Sequence, residues 1–97
     1  MTDYRLAPRA DADLDEIFEY TLERFGLNQA RLYLGGLRAC FETLAANPRM
    51  GRKADAIGTG VRRHEHGSHI FILYEVAEHG VTVLAIVYGG RQTALEL

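Results

Sequence analysis

From Ala10 onward apolar residues recur every three or four positions, at Leu14, Ile17, Phe18, Leu22 and Phe25, the spacing that places them on one side of an α-helix. Pro8 suits the first turn of that helix, where its missing N–H costs nothing. Asp11, Asp13, Asp15 and Glu16 crowd the same end, where the helix dipole favours negative charge. Gly26 follows the last periodic residue as a helix stop, and Asn28 reads as the cap of a second helix. In that helix Ala30, Tyr33, Leu34, Leu37, Phe41, Leu44 and Ala45 keep the period up to Asn47-Pro48. A tight Gly26-Leu27-Asn28 turn between the two predicts an antiparallel helical hairpin. Its shared stripe, about ten large side chains at roughly 1.5–3 kcal/mol each, is the expected main source of stability.

Beyond Pro48 the period changes. Residues 48–60 read as an irregular basic loop, and Val61–Glu65, His69–Val76 and Val81–Tyr88 read as strands separated by Gly67-Ser68 and Glu78-His79-Gly80. Tyr4-Arg5-Leu6, short and alternating, reads as a first strand. The predicted fold is therefore α+β and a single domain over residues 1–97. It runs as an N-terminal strand, the helical hairpin, then a three-stranded antiparallel sheet in the order β-α-α-β-β-β. In the middle strand Ile70, Ile72, Tyr74 and Val76 share one face, and Phe71 and Leu73 the other. In the last, Val81, Val83, Ala85 and Val87 oppose Thr82, Leu84, Ile86 and Tyr88. A sheet covered on one side alternates apolar with polar. Here both faces are apolar, the hairpin covers only one, and the second is expected to lie open for a partner or a second copy of the chain in a homodimer.

Composition narrows the function classes. The chain has 97 residues and a net charge of −2, with no apolar run near the roughly 18 residues of a membrane span. The first residues lack the layout of a signal peptide, and Cys40 stands alone, so a cytoplasmic location is expected. Residues 1–48 carry five Arg against eight acidic groups; residues 49–97 carry six basic against five acidic. The local excess sits at Arg49, Arg52, Lys53, Arg62 and Arg63. That is far from the profile of a dedicated nucleic-acid binder, and no direct nucleic-acid binding is expected.

Candidate chemistry is sparse. His64 and His66 share a strand face with His69 nearby, yet no carboxylate or thiolate at supporting spacing completes a metal site, so neither a metal nor a cofactor is expected. Cys40 reads as a small packing residue, with no His and acid pair to make it a nucleophile. Gly35-Gly36 interrupts the second helix at a cost of about 1 kcal/mol each. This is either close packing on the first helix or a smooth surface for a partner. Gly89-Gly90-Arg91 has no helix after it and makes no phosphate cradle. No assembled catalytic site is visible.

Several segments in order resemble the ParE branch of the RelE/ParE toxins of bacterial type II toxin–antitoxin systems. They are Tyr4-Arg5-Leu6, Ala10 with Asp13-Leu14, Ile17 and Tyr20, then Phe25-Gly26, Gln29-Ala30 and Tyr33. Leu44-Ala45-Ala46-Asn47-Pro48, Gly51-Arg52, Arg62-Arg63, Gly67-Ser68-His69, Tyr74 with Val76, and Ile86 through Arg91 continue the series over nearly the whole chain. The resemblance implies a toxin that inhibits DNA gyrase by binding it and is neutralised by a ParD-like antitoxin. The alternatives are a RelE-like ribosome-dependent mRNA endonuclease, or a regulatory module without toxicity. The RelE type uses basic and polar groups on its sheet and tail. This chain has one Lys and no basic tail, and only Arg62, Arg63, His64, Tyr88 and Arg91 could serve. It departs from many relatives at Glu75, Ala85 and Tyr88. Arg62, Arg63 and Arg91 are the expected partners of antitoxin carboxylates, and Ile72, Tyr74 and Tyr88 the expected apolar anchors on an open sheet face.

Overall fold

Pro8 at the first position, followed by a run without glycine, carries helix α1 from Pro8 to Phe25. Helix α2 follows from Leu27 to Ala46. The structure, a computed structural model, describes residues 3–67 and 70–88. A single residue joins the helices. Gly26, at φ 89° and ψ 174°, donates its N–H to Leu22 O and accepts from Ala30 N at its own carbonyl. It closes one helix and opens the next, in a backbone region that only glycine enters freely. The expected three-residue turn therefore shrinks to one, and Asn28 lies inside the first turn of α2 rather than capping it; no side chain caps that end.

The strands are β1 (Asp3–Leu6), β2 (Arg52–Lys53), β3 (Val61–His66), β4 (Ile70–Ala77) and β5 (Gly80–Tyr88). They form one five-stranded sheet in the order β1-β5-β4-β3-β2. This corrects the expectation of a three-stranded sheet in two ways. The N-terminal strand joins the same sheet, parallel to β5 with Asp3 opposite Gly80 and Leu6 opposite Val83. At the other edge the basic loop supplies two residues, Arg52 opposite Arg63 and Lys53 opposite Arg62. Gly80 permits the β1 contact, because a Cβ there would collide with the Asp3 carbonyl oxygen.

Strict alternation fails in β5. Leu73 pairs with Ala85 while Tyr74 pairs with Val83, so Leu84 is an extra residue, a β-bulge that flips the side chains beyond it. Val81, Val83 and Ile86 thus share the helix-facing side, with Ile70, Ile72 and Tyr74 from β4 and Leu14, Ile17, Leu37, Phe41 and Leu44 from the helices. Ala85 and Val87 turn to the other side with Val61 and Leu73. That second face is not open as expected. All four residues are buried, with Ala54 and Ile57 from the loop between β2 and β3, Phe71 and Leu84 packed against them.

The helical stripe also stops short of its expected length. Leu14 and Ile17 are buried, but Leu22 and Phe25 are exposed, as are Leu27 and Leu32. The apolar residues nearest the hairpin turn are surface.

Candidate functional site

Two regions concentrate chemistry, one on each side of the helix-facing core. The first lies where the hairpin meets the ends of β4 and β5. Ile17 and Ile70 floor a cavity of about 390 Å³ walled by Tyr20, Phe25, Tyr33 and Tyr88. The helical period puts Ile17, Tyr20 and Thr21 on the side of α1 that meets the sheet, and the bulge at Leu84 brings Tyr88 round to the same side. Tyr20 and Tyr88 pack with their rings tilted 32° and 6.1 Å between centroids, and Tyr33 meets the His66 ring edge-on at 6.4 Å. The Arg24 guanidinium lies over Tyr20 at 4.8 Å. Burial pushes the Tyr33 hydroxyl above its ordinary value. Burial does the same to Tyr88, reinforced by the neighbouring Tyr20 and Asp13. These phenols therefore stay protonated at neutral pH, able to donate hydrogen bonds from an otherwise apolar wall. Phe25, 68% exposed, forms its lip.

Asp13 supports this region from behind. It is buried on α1, 5% exposed, and its carboxylate accepts from the Ile86 backbone N–H at 3.0 Å, with Arg9 Nε at 3.6 Å. β1 pairs with β5 only as far as Val83, so Ile86 has no strand on that side. Asp13 takes the place of the missing strand. Sequence reasoning placed Asp13 among the dipole-favoured acids of the first turn. The signal it passed over is the position: residue 13 lies three after buried Ala10 and four before buried Ile17, inside the apolar stripe.

The second region is the β2–β3 edge. Tyr74 is fully buried beneath it, donating from its hydroxyl to Pro48 O at 2.7 Å and accepting from Gly51 N at 2.9 Å. Arg62 donates to Gly51 O at 2.6 Å. On the opposite face Arg63 stacks on Phe71 at 3.9 Å and shares one Glu65 oxygen with Arg52, at 3.0 and 2.8 Å. Arg63 Nε is buried with no acceptor. Met50, Gly51, Arg52, Arg63, His64 and Glu65 line an open notch of about 300 Å³ beside them.

The expected site residues are thus dispersed. Arg62 and Arg63 leave β3 on opposite faces. Ile72 and Tyr74, each 0% exposed, sit under the helices, so they are not anchors on an open face: that face is the one the hairpin took. Tyr88 opens into the aromatic cleft, and Arg91 lies outside the described residues. Gly35 and Gly36 are exposed, and a Cβ added at either would meet nothing within 4 Å, which removes the close-packing reading. His64 and His66 lie on β3 and His69 outside the described residues. Among the described residues no three His, Cys, Asp or Glu groups are placed to hold a metal ion. Cys40 is half-buried against the core, its thiol pushed up by burial.

Comparison with known proteins gives a consistent picture. Residues 4–93 match the family described as the ParE toxin of type II toxin-antitoxin system, parDE. A protein named Toxin ParE1 from Mycobacterium tuberculosis (strain ATCC 25618 / H37Rv) is 38% identical over 85 residues, covering 88% of this chain and 87% of its own. Another Toxin ParE1, from Caulobacter vibrioides, is 42% identical over 76 residues, 78% of each chain. A solved structure, the chromosomal ParDE TA system from P. aeruginosa, superposes with a TM-score of 0.75 at 22% identity, covering 91% of this chain and 96% of that one. That last likeness is one of fold.

Proposed function

The chain belongs to the ParE toxins of type II toxin–antitoxin systems, and from that premise we propose that it inhibits DNA gyrase by binding it and is neutralised by a ParD-like antitoxin seated in the aromatic cleft. The cleft is the observation that carries the reading. An apolar trough between two helices and a sheet end, ringed by aromatic groups with protonated hydroxyls, suits the apolar face of an amphipathic segment. Tyr and Phe walls of this kind supply large contact area at low entropic cost. Arg24 on the rim would meet a carboxylate of that segment. Gyrase as target follows from the family pattern in the sequence, and a cytoplasmic location follows from the target. No helix among the described residues is long and apolar enough to cross a membrane.

The ribonuclease alternative needs its groups to converge on one phosphate. Arg62 and Arg63 point to opposite faces, Arg62 held by Gly51 O and Arg63 by Glu65 and Phe71. Among the described residues the middle of the second face is apolar, with Leu73, Ala85 and Val87, and the charged groups at its edge, Arg52, Arg63 and Glu65, are engaged with one another. This supports a binding protein over an enzyme.

The test is a supercoiling assay run beside a translating extract. The purified protein is expected to block gyrase and to leave ribosome-bound mRNA uncut, and added antitoxin is expected to restore supercoiling. The Phe25→Ala and Tyr88→Ala variants are expected to need more antitoxin for the same relief. Codon-specific mRNA cleavage with gyrase unaffected would overturn the reading.

A further inference from the structure

Among the described residues Asp13 is the only charged side chain that is buried. It lies on the side of α1 that carries Ala10, Leu14 and Ile17 into the core, where an apolar side chain would simply continue the stripe. Taking a carboxylate out of water is expensive unless partners compensate it. Two groups meet this one at the same oxygen. The Ile86 N–H donates to Oδ2 at 3.0 Å, and Arg9 Nε lies 3.6 Å from it.

What the carboxylate holds is the end of β5. β1 accompanies β5 only from Gly80 to Val83, and the bulge at Leu84 interrupts the register with β4. At Ile86 the strand has Ile72 of β4 on one side and the Asp13 oxygen on the other. Side chains two apart on a strand share a face. Fixing the Ile86 backbone therefore fixes where the next side chain of that face, Tyr88, stands. Tyr88 is what β5 contributes to the aromatic cleft. The facing wall belongs to α1. Ile17 and Tyr20 follow Asp13 by four and seven positions, on successive turns of one helix side. Tyr20 meets the Tyr88 ring at 6.1 Å. Asp13 thus joins the two walls at their base, one turn behind the floor.

We propose that Asp13 is a positioning residue of the antitoxin seat: by holding the Ile86 N–H it sets the Tyr88 ring against Tyr20 and gives the cleft the width its partner requires. This rests on the reading of the cleft as the place where an antitoxin binds. It gives a binding consequence to a side chain too buried to meet the partner itself. A buried charge of this kind selects one arrangement of the elements around it, even where an apolar group would serve the fold as well.

The experiment uses the full chain and its purified cognate antitoxin. Asp13→Asn keeps an acceptor oxygen for Ile86, and Asp13→Leu fills the stripe without one. Each is melted thermally, titrated with antitoxin in a calorimeter, and compared by NMR of carbon-13-labelled tyrosine rings, with Tyr88 assigned through Tyr88→Phe. Asp13→Asn is expected to keep the Tyr88 resonance, its Overhauser contact with Tyr20, and an affinity within about twofold of the parent. Asp13→Leu is expected to lose that contact and on the order of tenfold in affinity. In a Tyr88→Ala background Asp13→Leu is expected to cost almost nothing further, because groups that act through one another are not additive. Should Asp13→Leu not fold, Asp13→Glu, which displaces the oxygens by one methylene, carries the same expectations. Parent affinity in the folded variant overturns the proposal, and so does an equal loss in both backgrounds, the mark of a purely structural role; either result leaves the cleft as the seat. Parent affinity in Tyr88→Ala alone sinks the cleft reading and the proposal together.

Discussion

Tyr74 shows how much one side chain can hold in this fold. Its hydroxyl bridges Pro48 O and Gly51 N, fixing the turn that brings Arg52 alongside β3. Gly51 must be glycine for this, since a Cβ would lie 2.6 Å from that oxygen. Tyr74→Phe keeps the ring and removes both bonds, leaving a buried carbonyl and N–H unsatisfied. Such a loss costs about 1–3 kcal/mol. Urea unfolding should show a destabilisation of that order, and exchange protection should drop first around Gly51. An unchanged midpoint would mean that water replaces the phenol at no cost. Sequence patterning expected Tyr74 as an exposed anchor because alternation tells which residues share a face, not which face a hairpin covers.

The two helices differ in what their surfaces require. α1 spends its buried side on the core and on Asp13, whereas α2 carries Gly35-Gly36 on its solvent side. With nothing within 4 Å of either Cβ position, each glycine costs backbone entropy and gives no packing in return. Replacing each with Ala should stabilise the free protein by about 0.5–1 kcal/mol, read as a rise in melting temperature. Supercoiling inhibition measured on the same Gly35→Ala/Gly36→Ala variant then separates the two outcomes. Lost inhibition would mark this face as a partner surface, and retained inhibition would make the pair neutral to function. Most of the elements were legible in the sequence. The 3.6 period located both helices, apolar, β-branched runs located β4 and β5, and the flanking glycine turns bounded β3, each to within a residue or two. Three features were not legible. The parallel pairing of β1 with β5 depends on contacts between chain ends. β2 has only two residues and no period of its own. The bulge at Leu84 reverses every face assignment after it, so Ile86 and Ala85 exchanged places relative to the expected alternation. For the candidate site, the sequence singled out Tyr88, which lines the cleft, whereas the cleft needed α1, α2 and the bulge together before it existed.

The molecule as a whole is electrically divided. Asp11, Asp15, Glu19 and Glu23 line the exposed side of α1, and the basic groups gather at the β2–β3 edge. In the alkaline range its stability depends on wholly or partly buried phenols. Tyr33, Tyr74 and Tyr88 all have hydroxyls raised above the ordinary 10.0, chiefly by burial. The folded chain therefore holds these protons more tightly than the unfolded chain. Stability is at its full value below the unfolded phenol range and falls as pH rises through it toward the folded values. Urea midpoints should decline above about pH 10, and Tyr74→Phe should flatten part of that decline; midpoints level across the range would contradict it. The sheet also imposes a timetable on synthesis. Asp13 closes on Ile86 across 73 residues, and β1 finds its partner only in β5. At roughly 5–20 residues per second, the ribosome leaves the N-terminal strand and the Asp13 carboxylate without partners for about 4–15 s. A half-made chain can form its helical hairpin but neither the finished sheet nor the cleft that Tyr88 completes. Premature termination upstream of β5 thus yields fragments without the proposed antitoxin seat, substrates for proteases that no antitoxin would shield.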